Sequence, residues 1–141
     1  MTKVVPFRGS STRPAASSTK SGLKASVASA VRTLNLESEG LIQLASELNG
    51  DLAGPFEEAM RRLVAVKGRV IVTGIGKSGH VGQKIAATFA STGTPAFFVH
   101  PSEASHGDLG MVTRSDLILA LSWSGETVEL KPIITYSRRF A

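Results

Sequence analysis

Lys77 and Ser78 follow the glycines of Gly74-Ile75-Gly76 and precede Gly79, so a cation and a hydroxyl sit where the backbone can approach a ligand closely. A second such segment, Ser122-Trp123-Ser124-Gly125-Glu126-Thr127, offers three hydroxyls and backbone amides at the expected start of a helix. Both suit an anion, and phosphate is the natural guest. Taken alone, the second segment has a plainer reading as a helix cap, with Ser124 at the N-cap and Glu126 as a first-turn acid. Two such segments on neighbouring strand ends favour binding.

Two nucleotide-binding readings of the first segment fail on context. Gly74-x-Gly76-x-x-Gly79 matches a dinucleotide fingerprint, but that site needs an acidic residue at the end of the next strand. Here that strand ends in Val99-His100-Pro101. Gly76-Lys77-Ser78 imitates the end of a phosphate-binding P-loop, whose first glycine falls where Ile71 stands within a strand.

The elements that must hold these segments follow from hydrophobic patterning. Val70-Ile71-Val72, Ala96-Phe97-Phe98-Val99 and Leu117-Ile118-Leu119-Ala120-Leu121 are short apolar runs without alternation, as expected of parallel strands covered on both faces. A helix over about Gly79 to Ser91 joins the first two strands, and a last helical pattern opens at Ser122–Thr127. Ligand loops in such sheets lie at the carboxyl ends of the strands, where both segments fall.

Two helices precede the first strand. Apolar residues recur at near-helical spacing from Leu23 through Val27, Val31, Leu34, Leu41 and Leu44 to Leu48, before Asn49-Gly50-Asp51 interrupts. Gly54-Pro55 opens the second, running through Phe56, Met60, Leu63 and Val64 to Gly68, a position suited to a left-handed C-cap. Residues 1–22, rich in serine and threonine with Pro6 and Pro14, have almost nothing to bury and are expected to be disordered.

The chain of 141 residues is 42% hydrophobic and 19% charged, which fits one soluble domain with a core and excludes wholesale disorder. Its lack of cysteine excludes disulfides, thiolate metal sites and a cysteine nucleophile, and fits a reducing compartment. The net charge of +5 is mostly a property of the first 22 residues: Lys3, Arg8, Arg13 and Lys20 lie there without an acid, leaving 12 basic against 11 acidic groups. A nucleic-acid-binding face is therefore not expected. The start has the composition of an organellar transit peptide but lacks its apolar face, and no run has the length of a secretory core or a membrane span. A cytoplasmic protein is the expectation.

Gly74–His80, Ala87-Thr88-Phe89-Ala90-Ser91-Thr92-Gly93-Thr94-Pro95, His100-Pro101-Ser102-Glu103-Ala104-Ser105-His106-Gly107-Asp108-Leu109-Gly110 and Ser122–Thr127 together resemble the sugar isomerase (SIS) domain of D-arabinose-5-phosphate isomerases. The likeness runs from about Gly40 to the end of the chain. The third segment is the one that points to this subfamily, since loops like Ser122–Thr127 occur across SIS proteins, including regulators. The resemblance implies an α/β fold: a doubly wound parallel sheet flanked by helices, in a flavodoxin-like three-layer sandwich over residues 23–141. It also implies reversible interconversion of D-arabinose 5-phosphate and D-ribulose 5-phosphate through an enediol, towards Kdo and lipopolysaccharide. Gly76, Ser78, Ser122, Trp123, Ser124 and Thr127 then become substrate- or phosphate-binding residues, and Lys77, His106 and Glu129 catalytic ones. No cofactor or metal is implied, and a homo-oligomer, a tetramer in this family, is expected.

Each residue has a plainer reading beside this one. Lys77 could be a solvated loop lysine, His106 a turn histidine and Glu129 a surface acid. Trp123 is read as giving a backbone amide and a packing face. His80 and His100 lack partners at metal-ligand spacing and read as structural. The resemblance implies a five-stranded sheet of which three strands are evident, so an incomplete sheet and weak or absent activity of this chain alone are expected. A non-catalytic sugar-phosphate-binding module, or a SIS regulator, is the alternative.

Overall fold

The computed structural model describes residues 20–140, and most of the 1–22 segment expected to be disordered lies outside them. The chain divides into two units, residues 1–52 and 53–141. In the first, helix α1 (Lys20–Leu48) spans 29 residues. It begins at Lys20, inside the segment expected to be disordered, because nothing between Pro14 and Gly40 forbids helix and Gly22 costs only about 1 kcal/mol. Its apolar stripe, including Val27, Leu34 and Leu41, is exposed. The break comes at Asn49-Gly50, where the amides of Gly50 and Leu52 both donate to the Glu47 carbonyl at 3.0 Å.

The second unit is built on three parallel strands, β1 (Val70–Gly74), β2 (Ala96–Val99) and β3 (Leu117–Leu121), in the order β2-β1-β3. Four helices accompany them: α2 (Ala53–Ala65), α3 (Lys77–Ser91), α4 (Pro101–Ala104) and α5 (Lys131–Ser137). The central strand is paired on both sides, with Ile71 opposite Phe97 and Ile118. All its residues are buried. Alternation sends Val70 and Val72 to one face, where they pack with Ala86 of α3 and with Leu63 of α2. Ile71 points to the other face, against Ala104 of α4, Ile133 of α5 and Val112. Helix, sheet and helix thus form three layers, and the unalternated strands were the sequence signal for it.

Two boundaries differ from expectation. Helix α2 stops at Ala65, and Gly68 is not left-handed; it is a close-approach glycine instead. A Cβ there would lie 2.5 Å from Asp116 Oδ1 and 2.7 Å from the Ser115 carbonyl oxygen. The last helix starts at Lys131 rather than at the 122–127 loop, because Pro132 suits a first turn and its missing N–H costs nothing there. A 3-10 turn, Val128–Leu130, fills the gap. Between β2 and β3 the chain forms the short α4 and a 3-10 turn over Asp108–Met111.

The amino ends of β1 and β3 are locked by one carboxylate. Asp116 accepts from the Arg69 amide (2.8 Å), Arg69 Nε (3.2 Å) and Nη2 (3.0 Å), and from the Thr113 amide (2.9 Å) and hydroxyl (3.0 Å). The Arg69 guanidinium also lies 5.0 Å above the Phe97 ring, which ties β2 to the same end. Burial alone would raise the Asp116 carboxyl, but the bonds from Arg69 and Thr113 outweigh it and hold it well below the usual carboxylate range.

A carboxyl depressed on folding contributes stability above its unfolded pKa of about 3.9 and loses it as the pH falls towards the folded value. Asp116→Asn should therefore lower stability at pH 7 by about 2–3 kcal/mol, since a buried charged partner is removed. Urea midpoints at pH 7 and pH 3 check this: the difference between wild type and variant should shrink at pH 3.

Candidate functional site

The carboxyl ends of the strands carry both glycine- and hydroxyl-rich segments. After β1 the chain turns at Gly76, whose φ of +58° and ψ of −129° belong to a region open to glycine, and α3 begins at once with Lys77. The turn is tight because strand and helix touch. A Cβ on Gly79 would lie 2.9 Å from the Gly74 carbonyl oxygen, and one on Gly82 3.0 Å from the Phe98 ring. Lys77 is exposed and Ser78 half-buried at the exposed N-terminus of α3.

The second loop is held by its own hydroxyls. Ser122 Oγ lies 2.7 Å from Thr127 Oγ1 and accepts from the Gly125 amide at 3.0 Å, while Ser124 Oγ accepts from the Glu126 amide at 3.2 Å. Gly125 takes a left-handed φ of +74°. Two corrections follow. Ser124 caps no helix, since Thr127 occupies the N-cap of a three-residue 3-10 turn. The expected helix dipole behind this loop is correspondingly weak, and the amides of Gly125 and Glu126 are already engaged within the loop.

Lys77, Ser78, Ser122 and Trp123 line one shallow cleft of about 390 Å³, with Val81, Ala120 and Leu121 as its apolar wall. Trp123 stands fully exposed at its rim. His106 and Glu129 do not line this cleft. His106 follows α4, with its amide donating to the Glu103 carbonyl at 2.9 Å and its side chain exposed. Glu129 is exposed on the 3-10 turn anchored by buried Leu130. Both segments belong to the layer that covers Ile71, whereas Lys77 and Ser78 start the helix that covers Val72. The three candidate residues thus lie on segments of both layers, and no hydrogen bond joins Lys77, His106 and Glu129 among the described residues. His100 has a structural role, its Nδ1 accepting from the Ser102 amide at 3.3 Å to cap α4.

Among the described residues no three His, Asp or Glu side chains gather as metal ligands, and no helix is long and apolar enough to cross a membrane. Sequence reasoning passed over Thr73, the residue before Gly74, because Val70–Gly74 reads simply as a strand. Its hydroxyl is buried without a partner among the described residues.

This architecture is a parallel α/β sandwich with glycine- and hydroxyl-rich loops at the strand ends. The SIS domain family matches residues 63–140, more than half of the chain, and the chain belongs to that family. It is 54% identical over 111 residues to the arabinose 5-phosphate isomerase KdsD of Pseudomonas aeruginosa, a match covering 79% of this chain and 33% of that protein. With the arabinose 5-phosphate isomerase KdsD of Yersinia pestis the identity is 55% over 108 residues, 77% of this chain and 32% of that one. The chain therefore spans about a third of the length of the curated relatives it matches. Among solved structures, an Escherichia coli CFT073 protein in complex with arabinose 5-phosphate superposes with a TM-score of 0.66 at 36% identity, covering 81% of this chain and 61% of that one.

Gly76→Ala should lower stability by about 1–3 kcal/mol, because the new Cβ must sit at a strained φ and ψ. Gly110→Ala, where the added Cβ meets nothing within 4 Å at an ordinary φ, should change it little. Urea denaturation of the two variants checks the contrast.

Proposed function

We propose that this chain serves an aldose–ketose isomerase that interconverts D-arabinose 5-phosphate and D-ribulose 5-phosphate, on the path to Kdo and lipopolysaccharide. The observation that carries the reading is the single cleft that joins Lys77 and Ser78 after β1 to Ser122 and Trp123 after β3. A cation, two hydroxyls and an apolar wall in one concavity suit a small phosphorylated sugar. Identity above one half to two arabinose 5-phosphate isomerases supports the choice of sugar.

The reaction moves a carbonyl between C1 and C2 of the open-chain sugar. A base removes the proton on C2 of the aldose, the electrons pass to the C1 oxygen, and an enediolate forms. A proton returned to C1, with the C2 hydroxyl proton passing to the C1 oxygen, gives the ketose. Glu129 is proposed as the base, and His106 as the group that opens the ring or carries the proton between positions. Lys77 stabilises the charge that develops on oxygen. Ser78, Ser122, Ser124 and Thr127, with the backbone of Gly76 and Trp123, hold the phosphate and the sugar. The chemistry calls for no redox cofactor. The proposed enzyme works in the cytoplasm as a homo-oligomer, a tetramer.

One observation favours a second reading. His106 and Glu129 stand outside the cleft that contains Lys77, which suits a module that binds the sugar phosphate without turning it over.

Purified protein incubated with D-arabinose 5-phosphate should form the ketose, and the sugar phosphate should raise its melting temperature. His106→Ala should then cut kcat by about 10²-fold or more while leaving the thermal shift in place. A thermal shift without turnover in the wild type supports the binding module. Neither shift nor turnover overturns both readings.

A further inference from the structure

Thr73 is 0% exposed, and its Oγ1 is the one buried side-chain polar atom without a hydrogen-bond partner among the described residues. Its neighbours on β1 are Val70, Ile71 and Val72, so valine, nearly the same shape, would pack there without an unpaired hydroxyl. Burying such a hydroxyl weakens a fold unless something answers it, and a local rule broken in this way is expected at functional positions.

The place of the break is informative. Thr73 pairs in register with Val99 and Ala120, forming the last complete row across all three strands. The loops at Gly74–Ser78, His100–His106 and Ser122–Thr127 leave the sheet within two residues of that row. Alternation along β1 puts Thr73 on the face of Ile71, the side covered by the segments that carry His106 and Glu129. The hydroxyls of Ser122, Ser124 and Thr127 come from a different strand end, after β3.

We infer that Thr73 is a sugar-binding residue, whose hydroxyl finds its hydrogen-bond partner in an oxygen of the pentose and not in the phosphate. The inference rests on the reading given under Proposed function and deepens it, adding a contact at the reacting end of the substrate. The hydroxyl donates to or accepts from a sugar oxygen.

The test compares Thr73→Val and Thr73→Ser with wild type in three measurements: melting temperature without ligand, the dissociation constant for inorganic phosphate, and that for D-arabinose 5-phosphate. Thr73→Val should melt at the same or a higher temperature and bind inorganic phosphate unchanged. Its affinity for the sugar phosphate should fall by about tenfold, the loss of roughly one hydrogen bond, and Thr73→Ser should restore most of it. A purely structural hydroxyl gives a different pattern, in which melting temperature falls and both ligands weaken together, or nothing changes. Either result overturns the inference. If wild type binds no D-arabinose 5-phosphate, the functional reading falls and this one with it. If wild type binds it and Thr73→Val binds it equally, only this inference falls.

Discussion

The second unit depends on complete burial of the central strand. Every residue of β1 is covered, with β2 and β3 taking its backbone bonds and helical layers taking its side chains on both faces. Such a strand cannot donate a charged or bulky polar side chain to a ligand at low cost. Charged and larger polar side chains are therefore displaced to the residues just past its carboxyl end. Helix α3 must return immediately to cover Val70 and Val72, and this forces the Gly74–Gly79 approach and the left-handed turn at Gly76. The glycines thus serve the packing of helix on strand, and the exposed Lys77 and Ser78 at the head of α3 are a product of the same constraint.

The two ends of the sheet divide the labour. At the amino end the nearly buried Asp116 carboxylate gathers the half-exposed Arg69 and the exposed Thr113, and each of its oxygens is used. At the carboxyl end, polar groups are left outward or bonded only to their own loop. Ser122, Thr127 and Ser124 shape the second loop from within, so any phosphate they hold must be accommodated by hydroxyls whose positions are already set. Pre-set donors lose little freedom on binding.

Much of this arrangement was legible in the residues, and for reasons that can be named. All three strands were visible because parallel strands buried on both faces are uninterrupted β-branched or apolar runs. Helix α1 was visible because its stripe repeats over seven turns and Asn49-Gly50 ends it. Gly68 was misjudged because a glycine after a helix suggests a cap, whereas its need here comes from Asp116, 48 positions further on in the chain and beyond local pattern. The start of the last helix was misplaced because Ser124 and Glu126 imitate a cap, while Pro132 fixes the true first turn. Grouping of Lys77, Ser78, Ser122 and Trp123 followed from strand-end topology. The separation of His106 and Glu129 from their cleft did not, since it depends on which layer each connecting segment joins.

The strand order β2-β1-β3 bears on how the molecule comes into being. During synthesis β1, α3 and β2 emerge first and can pair as neighbours in sequence. Strand β3 must then travel past β2 to the opposite flank of β1. Only that late, non-local closure brings Ser122 beside Ser78, so the cleft has no precursor in the partly made chain. A nascent chain that already contains Lys77 would lack this cleft until the far edge of the sheet had been laid.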